Sequence, residues 1–323
     1  MRQACLLFLC AVLAAGNLAA QSHHDRSPDE IFKREALSGN VSVLYGRGGN
    51  VGFYVGPDAV FVIDSQFENI AAGIVEQIKK VTDKPIKYLL NTHHHQDHTG
   101  GNPVFRPFAI IVAHDKVRER MLASPAQILK EYPQKLAEAQ KAGKQDAAKF
   151  YAEQIEWARK VKVEEIAAPF LTFDSELRLV LGDETIEIWH TPPAHTDGDS
   201  VVYFRKAKVL HGGDLVWNRV VPFIDVEGGG SAKGYLTALD KVIPKVASDT
   251  KVIPGHGVVM DVAGLKVFRQ YIADVLQLAA AAKKKGTPRD QFLASADLPQ
   301  YKDYSGYADR FKDNCAAAYD DAP

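Results

Sequence analysis

A dense group of histidines limits what this chain can fold into. Residues 91–102 read NTHHHQDHTGGN and place four histidines and one aspartate within six consecutive positions. Imidazoles packed this closely compete for space, and each protonated ring repels the next. A divalent cation removes that cost, because it binds neutral imidazoles through their lone pairs. The cluster therefore predicts a metal site, to which the fold has to bring further ligands.

The composition is that of an ordinary globular protein. Of the 323 residues, 46% are hydrophobic, and the formal net charge is −1. This is enough for one large α/β domain with a sizeable core. The near-zero charge and the lack of a basic patch in the sequence exclude nucleic acid as the expected partner. We expect a small-molecule substrate, and the sequence gives no indication of an oligomeric state.

Residues 1–20 have the pattern of a secretory signal peptide. Arg2 precedes the apolar run ACLLFLCAVLAA, which is too short to span a membrane, and small residues end the segment near Ala20. We expect a secreted or periplasmic protein with no stable membrane insertion after cleavage; an uncleaved anchor is the alternative. Cleavage leaves Cys315 as the only cysteine, which excludes an internal disulfide and a thiolate-rich metal site.

Strand and helix patterns alternate between residues 41 and 285. Short β-branched and aromatic runs are separated by Gly, Pro and Asn, while Ile70, Ile74 and Ile78 recur at helical spacing. The second half repeats this pattern, which predicts an α/β sandwich with helices outside and two sheets inside. Residues 21–40 are expected to form a polar N-terminal segment, and residues 286–323 a polar C-terminal tail.

Residues 115–165 interrupt the alternation and are rich in the helix formers Ala, Lys, Glu and Gln. Two apolar stripes recur there every three or four positions: Leu129, Tyr132, Leu136 and Ala139, then Tyr151, Ile155 and Ala158. Gly143 lies between them and can turn one helix back on the other. The pattern predicts an inserted helical hairpin with a solvated outer face; a lid over an active site is the alternative.

Three later fragments place metal-ligating side chains in the same context as the histidine cluster. The fragments HTDGD, HGGD and PGHG each follow an apolar run, as the cluster follows IKYLLN. Strand ends of this kind meet on one rim of an α/β fold. Seven side chains are thus predicted to converge: His93, His95, Asp97, His98, His195, Asp214 and His256. This set of nitrogen and oxygen ligands suits zinc, with manganese or iron as alternatives, and its size favours two metal ions.

These motifs also carry a resemblance to a known family. THHHQDHTGGN resembles the HxHxDH signature of the metallo-β-lactamase superfamily, and HTDGD, GGD and PGHG resemble its later motifs in order, over residues 41–260. The resemblance implies a four-layered αββα sandwich. It also implies that one Zn²⁺ is held by His93, His95 and His195, and a second by Asp97, His98 and His256. Asp214 would bridge the two ions.

The resemblance has further implications for individual residues. Asp64, at the end of FVID, is similar to the aspartate of the superfamily's first motif and would orient the ligand loop. With Asp214 and His98 present, the ligand set is more similar to that of glyoxalase II than to those of the best-known antibiotic-degrading members. His114, His190 and His211 match no position of the family motifs, and they are expected to make local hydrogen bonds.

The function implied is that of an exported binuclear zinc hydrolase. A metal-bound hydroxide would attack the carbonyl carbon of an amide, ester or lactone, and Asp97 would be the catalytic residue that orients it and passes on its proton. Export favours a β-lactamase-like substrate, whereas the ligand set favours a glyoxalase II-like thioesterase. An iron-dependent persulfide dioxygenase is the alternative from another class, although one iron does not need the second ligand set.

Overall fold

The computed structural model describes residues 27–143 and 145–323, so the signal-peptide prediction lies outside the described residues. Two β-sheets form the centre of the fold. The first contains, in spatial order, β1 (Lys33–Ala36), β2 (Val41–Tyr45), β3 (Val51–Val55), β4 (Val60–Ile63), β5 (Ile86–Leu90), β6 (Ile110–His114) and β7 (Leu171–Phe173). The second contains β8 (Glu176–Leu181), β9 (Glu184–His190), β10 (Ser200–Phe204), β11 (Val209–His211), β12 (Lys251–Ile253) and β13 (Met260–Asp261), also adjacent in chain order.

Parallel pairing in both sheets groups strand ends on one rim. Strands β4 to β7 are parallel to one another, and β11 is parallel to β12. The remaining neighbours are antiparallel. Because parallel strands end at the same edge, the loops after β4, β5, β11 and β12 can approach one another.

Helices cover the outer faces of the two sheets. The α-helices are α1 (Pro28–Ile31), α2 (Glu68–Lys79), α3 (Gln96–Thr99), α4 (Asn102–Phe105), α5 (Asp115–Lys141), α6 (Gln145–Lys160), α7 (Ala232–Val242), α8 (Val262–Lys284), α9 (Arg289–Ser295) and α10 (Tyr307–Asp321). The predicted stripe of α2 is buried against the first sheet. Helices α7, α8 and α10 cover the second sheet.

The core between the two sheets is made of side chains from both. Phe61 and Val112 of the first sheet meet Ile188 and Phe204 of the second in one buried cluster. The molecule therefore has the order helix, sheet, sheet, helix, and the predicted αββα sandwich is confirmed. In the described part of the chain, no helix has both the length and the apolar character needed to cross a membrane.

Helices α5 and α6 occupy the segment predicted to be an inserted hairpin. Gly143 has a φ of 68° at the turn between them, a conformation that glycine adopts without strain. Ile128 packs against Ile155 and Ala158. Leu129 is 40% exposed, so its predicted place in the buried stripe was wrong. Ile128 is buried instead, because α6 packs against the side of α5 on which Ile128, one position before Leu129, lies.

The two segments expected to be polar both contain regular secondary structure. Within residues 286–323, helices α9 and α10 pack against α8, and Phe311 and Cys315 are fully buried. Aromatic and small residues on the inner face of α10 make the apolar contact. The charged residues on its outer face make the overall composition of the segment polar. At the other end, β1 lies within the predicted polar segment and pairs with β2, which extends the first sheet.

Because α10 is part of the core, Phe311→Ala is expected to lower the free energy of unfolding by about 3–5 kcal/mol. Phe311 is 1% exposed and packs within the cluster under the second sheet. Urea unfolding followed by circular dichroism measures the change, with the exposed Asp309→Ala on the same helix as control. Equal stability of the two variants would show that α10 does not contribute to the core.

Candidate active site

The seven predicted ligands all follow strands that end on the same rim. The histidine cluster comes directly after β5, and His95 is the N-cap of the short helix α3. His195 lies in the loop between β9 and β10, Asp214 follows β11, and His256 follows β12. The structure brings all seven together. The ligands are far apart in the sequence, but the parallel pairings β4–β5 and β11–β12 place the loops that carry them at the same edge.

Three imidazoles form the first half of the site. Nδ1 of His95 lies 3.1 Å from Nε2 of His93 and 2.9 Å from Nε2 of His195. Ligands at zinc–nitrogen distances of about 2.0–2.1 Å in a tetrahedron are about 3.3 Å apart. The three nitrogens are therefore close to the separation that one small cation requires. Oδ2 of Asp214 lies 3.4 Å from Nε2 of His195 and 4.0 Å from Nε2 of His93.

The second half contains the other predicted trio. Oδ2 of Asp97 lies 3.3 Å from Nε2 of His256 and 3.5 Å from Nε2 of His98. Asp214 reaches this group as well, since its Oδ1 is 3.2 Å from His98 and its Oδ2 is 3.4 Å from His256. Asp214 thus lies between the two trios, where a bridging carboxylate would have to be.

Two buried atoms support the presence of a cation here. Nε2 of His98 and Oδ1 of Asp214 are buried, and neither makes a well-oriented hydrogen bond to any residue in the described chain. A buried polar atom left without a partner costs free energy. A divalent cation between them supplies that partner, so the residues present fit the metal ions that the donor set implies.

Burial and neighbouring charges tune these groups for coordination. Burial lowers the pKa of His93 well below its usual value and that of His195 to about 4, so both rings keep a free lone pair at neutral pH. Burial alone would also lower the pKa of His98, but the carboxylates of Asp214 and Asp97 outweigh it and raise that pKa. In this half of the site, a metal ion competes with a proton for the imidazole.

Asp64 holds the ligand loop, as the family resemblance implied. Its carboxylate accepts hydrogen bonds of 2.8 Å from the Thr92 backbone N–H, from the Thr92 hydroxyl and from Nδ1 of His98. The hydrogen bond from Nδ1 fixes the ring so that Nε2 faces the site. Asp64 has a φ of 64°, an uncommon backbone conformation for a residue other than glycine.

The groups that support His95 and His195 were not predicted from the sequence. Oδ2 of Asp225 lies 2.9 Å from Nε2 of His95, and the Phe223 carbonyl accepts a 2.6 Å hydrogen bond from Nδ1 of His195. Asp199 accepts from the backbone N–H groups of His195 and Thr196. The available signal was the run VPFID, because Asp225 ends an apolar run as Asp64 does in FVID.

Two glycines allow the backbone to approach the ligands closely. A Cβ at Gly49 would lie 2.0 Å from the His98 ring, and one at Gly255 would lie 1.9 Å from Oδ1 of Asp214. Gln66 fixes the first of these loops by donating a 2.7 Å hydrogen bond to the Gly49 carbonyl. The segment GRGGN (residues 46–50), which connects β2 and β3, therefore packs directly on the site.

Three further histidines of the described chain and Arg219 behave as structural residues. His114, His190 and His211 each have a ring nitrogen within 3.0 Å of a backbone carbonyl oxygen, as expected. Arg219 is exposed and pairs with Asp303, so it belongs to the surface. His94, the fourth histidine of the cluster, stays outside both trios, with Nε2 3.7 Å from Oδ2 of Asp225.

A pocket opens beside the first trio, under the inserted hairpin. Its wall includes His95, Phe223 and Asp225 from the main fold, and side chains of α5 and α6. Arg120 of α5 donates to Asp197 at 2.7 Å, and Lys135 lies 2.9 Å from Glu227. The hairpin is thus tied to the loops that carry His195 and Asp225, and it covers one side of the site.

Asp64→Asn is expected to weaken metal binding by about 10–100-fold while the fold is retained. The amide cannot accept all the hydrogen bonds that now fix Thr92 and His98, so the imidazole loses its orientation. Competition with a chelating dye measures the affinity, and Glu68→Gln on the exposed start of α2 is the control. Wild-type affinity in the Asp64 variant would remove this positioning role.

Comparisons with known proteins agree with this geometry. The family model described as the metallo-beta-lactamase superfamily matches residues 44–256. A metallo-beta-lactamase from Pontibacter korlensis is similar with a TM-score of 0.55 and 17% identity, over 75% of this chain and 99% of its own. The DIM-1 metallo-beta-lactamase gives 0.54 and 20%, over 76% and 98%.

A double mutant of the sec-alkyl sulfatase PisA1 is similar over 89% of this chain and 50% of its own, with a TM-score of 0.64 and 17% identity. At identities this low, the structural similarities establish the shared fold alone. The family match covers most of the chain, including all seven predicted ligands. The chain belongs to the metallo-β-lactamase superfamily of metal-dependent hydrolases.

Proposed function

We propose that this chain is an exported hydrolase that holds two divalent cations, zinc foremost, and cleaves an acyl bond in a small molecule. The observation that carries this proposal is the convergence of two complete ligand trios on Asp214. Its carboxylate lies 3.4 Å from both His195 and His256 and 3.2 Å from His98. A site for one cation would not need the second trio.

The chain's own residues would bind the cations, transfer the proton and position the ligands. His93, His95 and His195 would hold one cation, and Asp97, His98 and His256 the other, with Asp214 between them. When bound, such ions polarise a carbonyl oxygen and lower the pKa of water to roughly 7. Asp97 would take up the proton released by the attacking water and deliver it to the leaving group. Asp64 and Asp225 would keep the imidazoles in place.

Amides, esters and lactones are the proposed substrates, with a β-lactam ranked first. The secretory pattern of residues 1–20 supports a substrate met outside the inner membrane. The solved structures of similar fold that are named as metallo-beta-lactamases agree with this ranking. A glyoxalase II-like thioesterase is the second candidate, because Asp214 and His98 give the ligand set of that group.

Metal analysis combined with a substrate panel tests the proposal. The purified mature protein is expected to contain about two zinc ions per chain and to hydrolyse one of nitrocefin, a lactone, a simple ester or a thioester. A secondary alkyl sulfate belongs in the panel because of the similarity to the alkyl sulfatase. Inertness towards every carbonyl substrate in the zinc-loaded state would overturn acyl hydrolysis.

The same measurement separates hydrolysis from oxidation. One iron per chain with oxygen uptake on a persulfide would replace the proposed activity with that of a persulfide dioxygenase. Export is tested independently by N-terminal sequencing of the mature protein, which is expected to begin near residue 21.

A further inference from the structure

The inserted hairpin builds an aromatic wall next to the metal ligands. Tyr132 of α5 packs against Tyr151 and Phe150 of α6, with ring centroids 5.2 Å and 6.3 Å apart. All three side chains line the pocket beside His95. On the side of the main fold, Phe223 completes the wall, and its ring lies 6.0 Å from that of His95 and 5.9 Å from that of His195.

The space between these rings is about the size of one aromatic ring. The pocket has a volume of about 120 Å³ and is partly open to solvent. An apolar cavity of about 150 Å³ accommodates benzene, so the volume of the pocket is on the scale of a single six-membered ring. Because the wall starts at Phe223, a group in the pocket would be attached within a few bonds of the atom that reacts at the cations.

The charged side chains lining this pocket are already paired with one another or with neighbours. Arg120 forms two hydrogen bonds with Asp197, and Lys135 lies between Glu227 at 2.9 Å and Glu131 at 3.6 Å. Asp225 accepts from His95. An anionic group entering the pocket would have to break one of these pairs, and burying a charge without a partner is costly.

We propose that the pocket under the hairpin selects substrates whose acyl side carries an uncharged aromatic ring. Stacking and edge contacts with Tyr132, Phe150 and Phe223 bind the ring, and the paired charges reject a carboxylate at the same place. This inference rests on the proposed hydrolysis, whose substrate class it narrows. Tyr132 and Ser124 are therefore specificity-determining residues, since both line the pocket and neither belongs to the ligand set.

Matched esters test the selection in the zinc-loaded protein. 4-Nitrophenyl phenylacetate is expected to have a kcat/KM at least about tenfold above that of 4-nitrophenyl acetate, because the ring buries apolar area on binding. The analogue with a carboxylate at the para position of the acyl ring is expected to lose that advantage. Equal values for acetyl and phenylacetyl esters, or a preference for the charged analogue, overturn the proposal.

Two variants change the pocket in opposite directions. Tyr132→Ala removes part of the wall, and Ser124→Leu fills space in the pocket. Each variant is expected to lower kcat/KM for the phenylacetyl ester about tenfold. The kcat/KM for the acetyl ester should change less than about threefold. Leu129→Ala, on the exposed side of the same helix, is the matched control and should change neither. If Tyr132→Ala unfolds the hairpin, Ser124→Leu still decides, and equal loss for both esters contradicts the proposal.

A binding measurement separates this inference from the proposed hydrolysis. Saturation-transfer NMR is expected to detect benzyl methyl ether, which has no hydrolysable bond, in the wild-type protein and in Leu129→Ala, but not in Ser124→Leu. Benzylsulfonate, the anionic counterpart, should give no signal at this site. Binding of the ether without hydrolysis of any carbonyl substrate in the panel would leave the pocket assignment standing and overturn the hydrolase. Hydrolysis without ring binding would do the reverse.

Discussion

Asp97→Asn is expected to keep the fold and to lower turnover by about 10²–10⁴-fold in the metal-replete protein. Oδ2 of Asp97 lies 3.3 Å from Nε2 of His256 and 3.5 Å from Nε2 of His98, and the side chain is 8% exposed. An amide of the same shape preserves the packing, but it neither carries the negative charge nor takes up a proton at this position. Measurement of kcat at saturating zinc, with metal content and circular dichroism on the same sample, gives the result.

The matched control is Asp249→Asn, an equivalent change at a side chain that is 63% exposed, pairs with Lys208 and precedes β12, at the opposite end of that strand from His256. It should retain wild-type turnover. If the Asp97 variant binds two zinc ions and turns over at the wild-type rate, Asp97 has no part in proton transfer. Loss of one zinc ion together with activity would instead assign the defect to coordination.

Removal of the metal is expected to have the second large effect, and it acts on stability as well as on activity. His93, Asp97, His98 and Asp214 are all buried, so the apo protein keeps a cluster of ionisable groups without the cations that neutralise it. At a free metal concentration about 1,000 times Kd, binding stabilises the native state by about 4 kcal/mol. Chelation should therefore abolish hydrolysis and lower the melting temperature together.

Calorimetry with and without a chelator, followed by titration with zinc, manganese or iron, measures both quantities on one preparation. Restoration of the melting temperature and of activity by the same ion identifies the metal that the site prefers. Full hydrolysis by a protein shown to be metal-free would contradict the role assigned to the seven ligands, whereas an unchanged melting temperature would contradict only the stability argument.

The layered fold and the convergence of the seven predicted ligands were within reach of the sequence, because both depend on local patterns. Apolar runs that stop at Gly, Pro or Asn mark strands, and each predicted ligand comes at the end of such a run. The identity of the buried face of α5 was harder to obtain. Ile128 and Leu129 are adjacent and equally apolar, so only the position of α6 decides which of them is buried.

The supporting residues and the last helix depended on tertiary contacts. Asp225 is 130 positions from His95 along the chain, and no local pattern connects them. Residues of α10 alternate charged and apolar types, so its composition resembles that of a solvated tail. Phe311, Cys315 and Ala318 nevertheless recur at helical spacing, and α8 covers the face that they form.

The hairpin of α5 and α6 has small cores of its own, formed by residues such as Ile128 with Ile155 and Ala139 with Tyr151. A substitution on its inward face can therefore alter the shape of the pocket beside His95 while β5, β11 and β12 keep the seven predicted ligands in place. The proposed chemistry and the proposed selectivity therefore reside in separate parts of this architecture. New substrate preferences can arise in such an enzyme by exchange of one helical pair, with the reactive centre inherited intact.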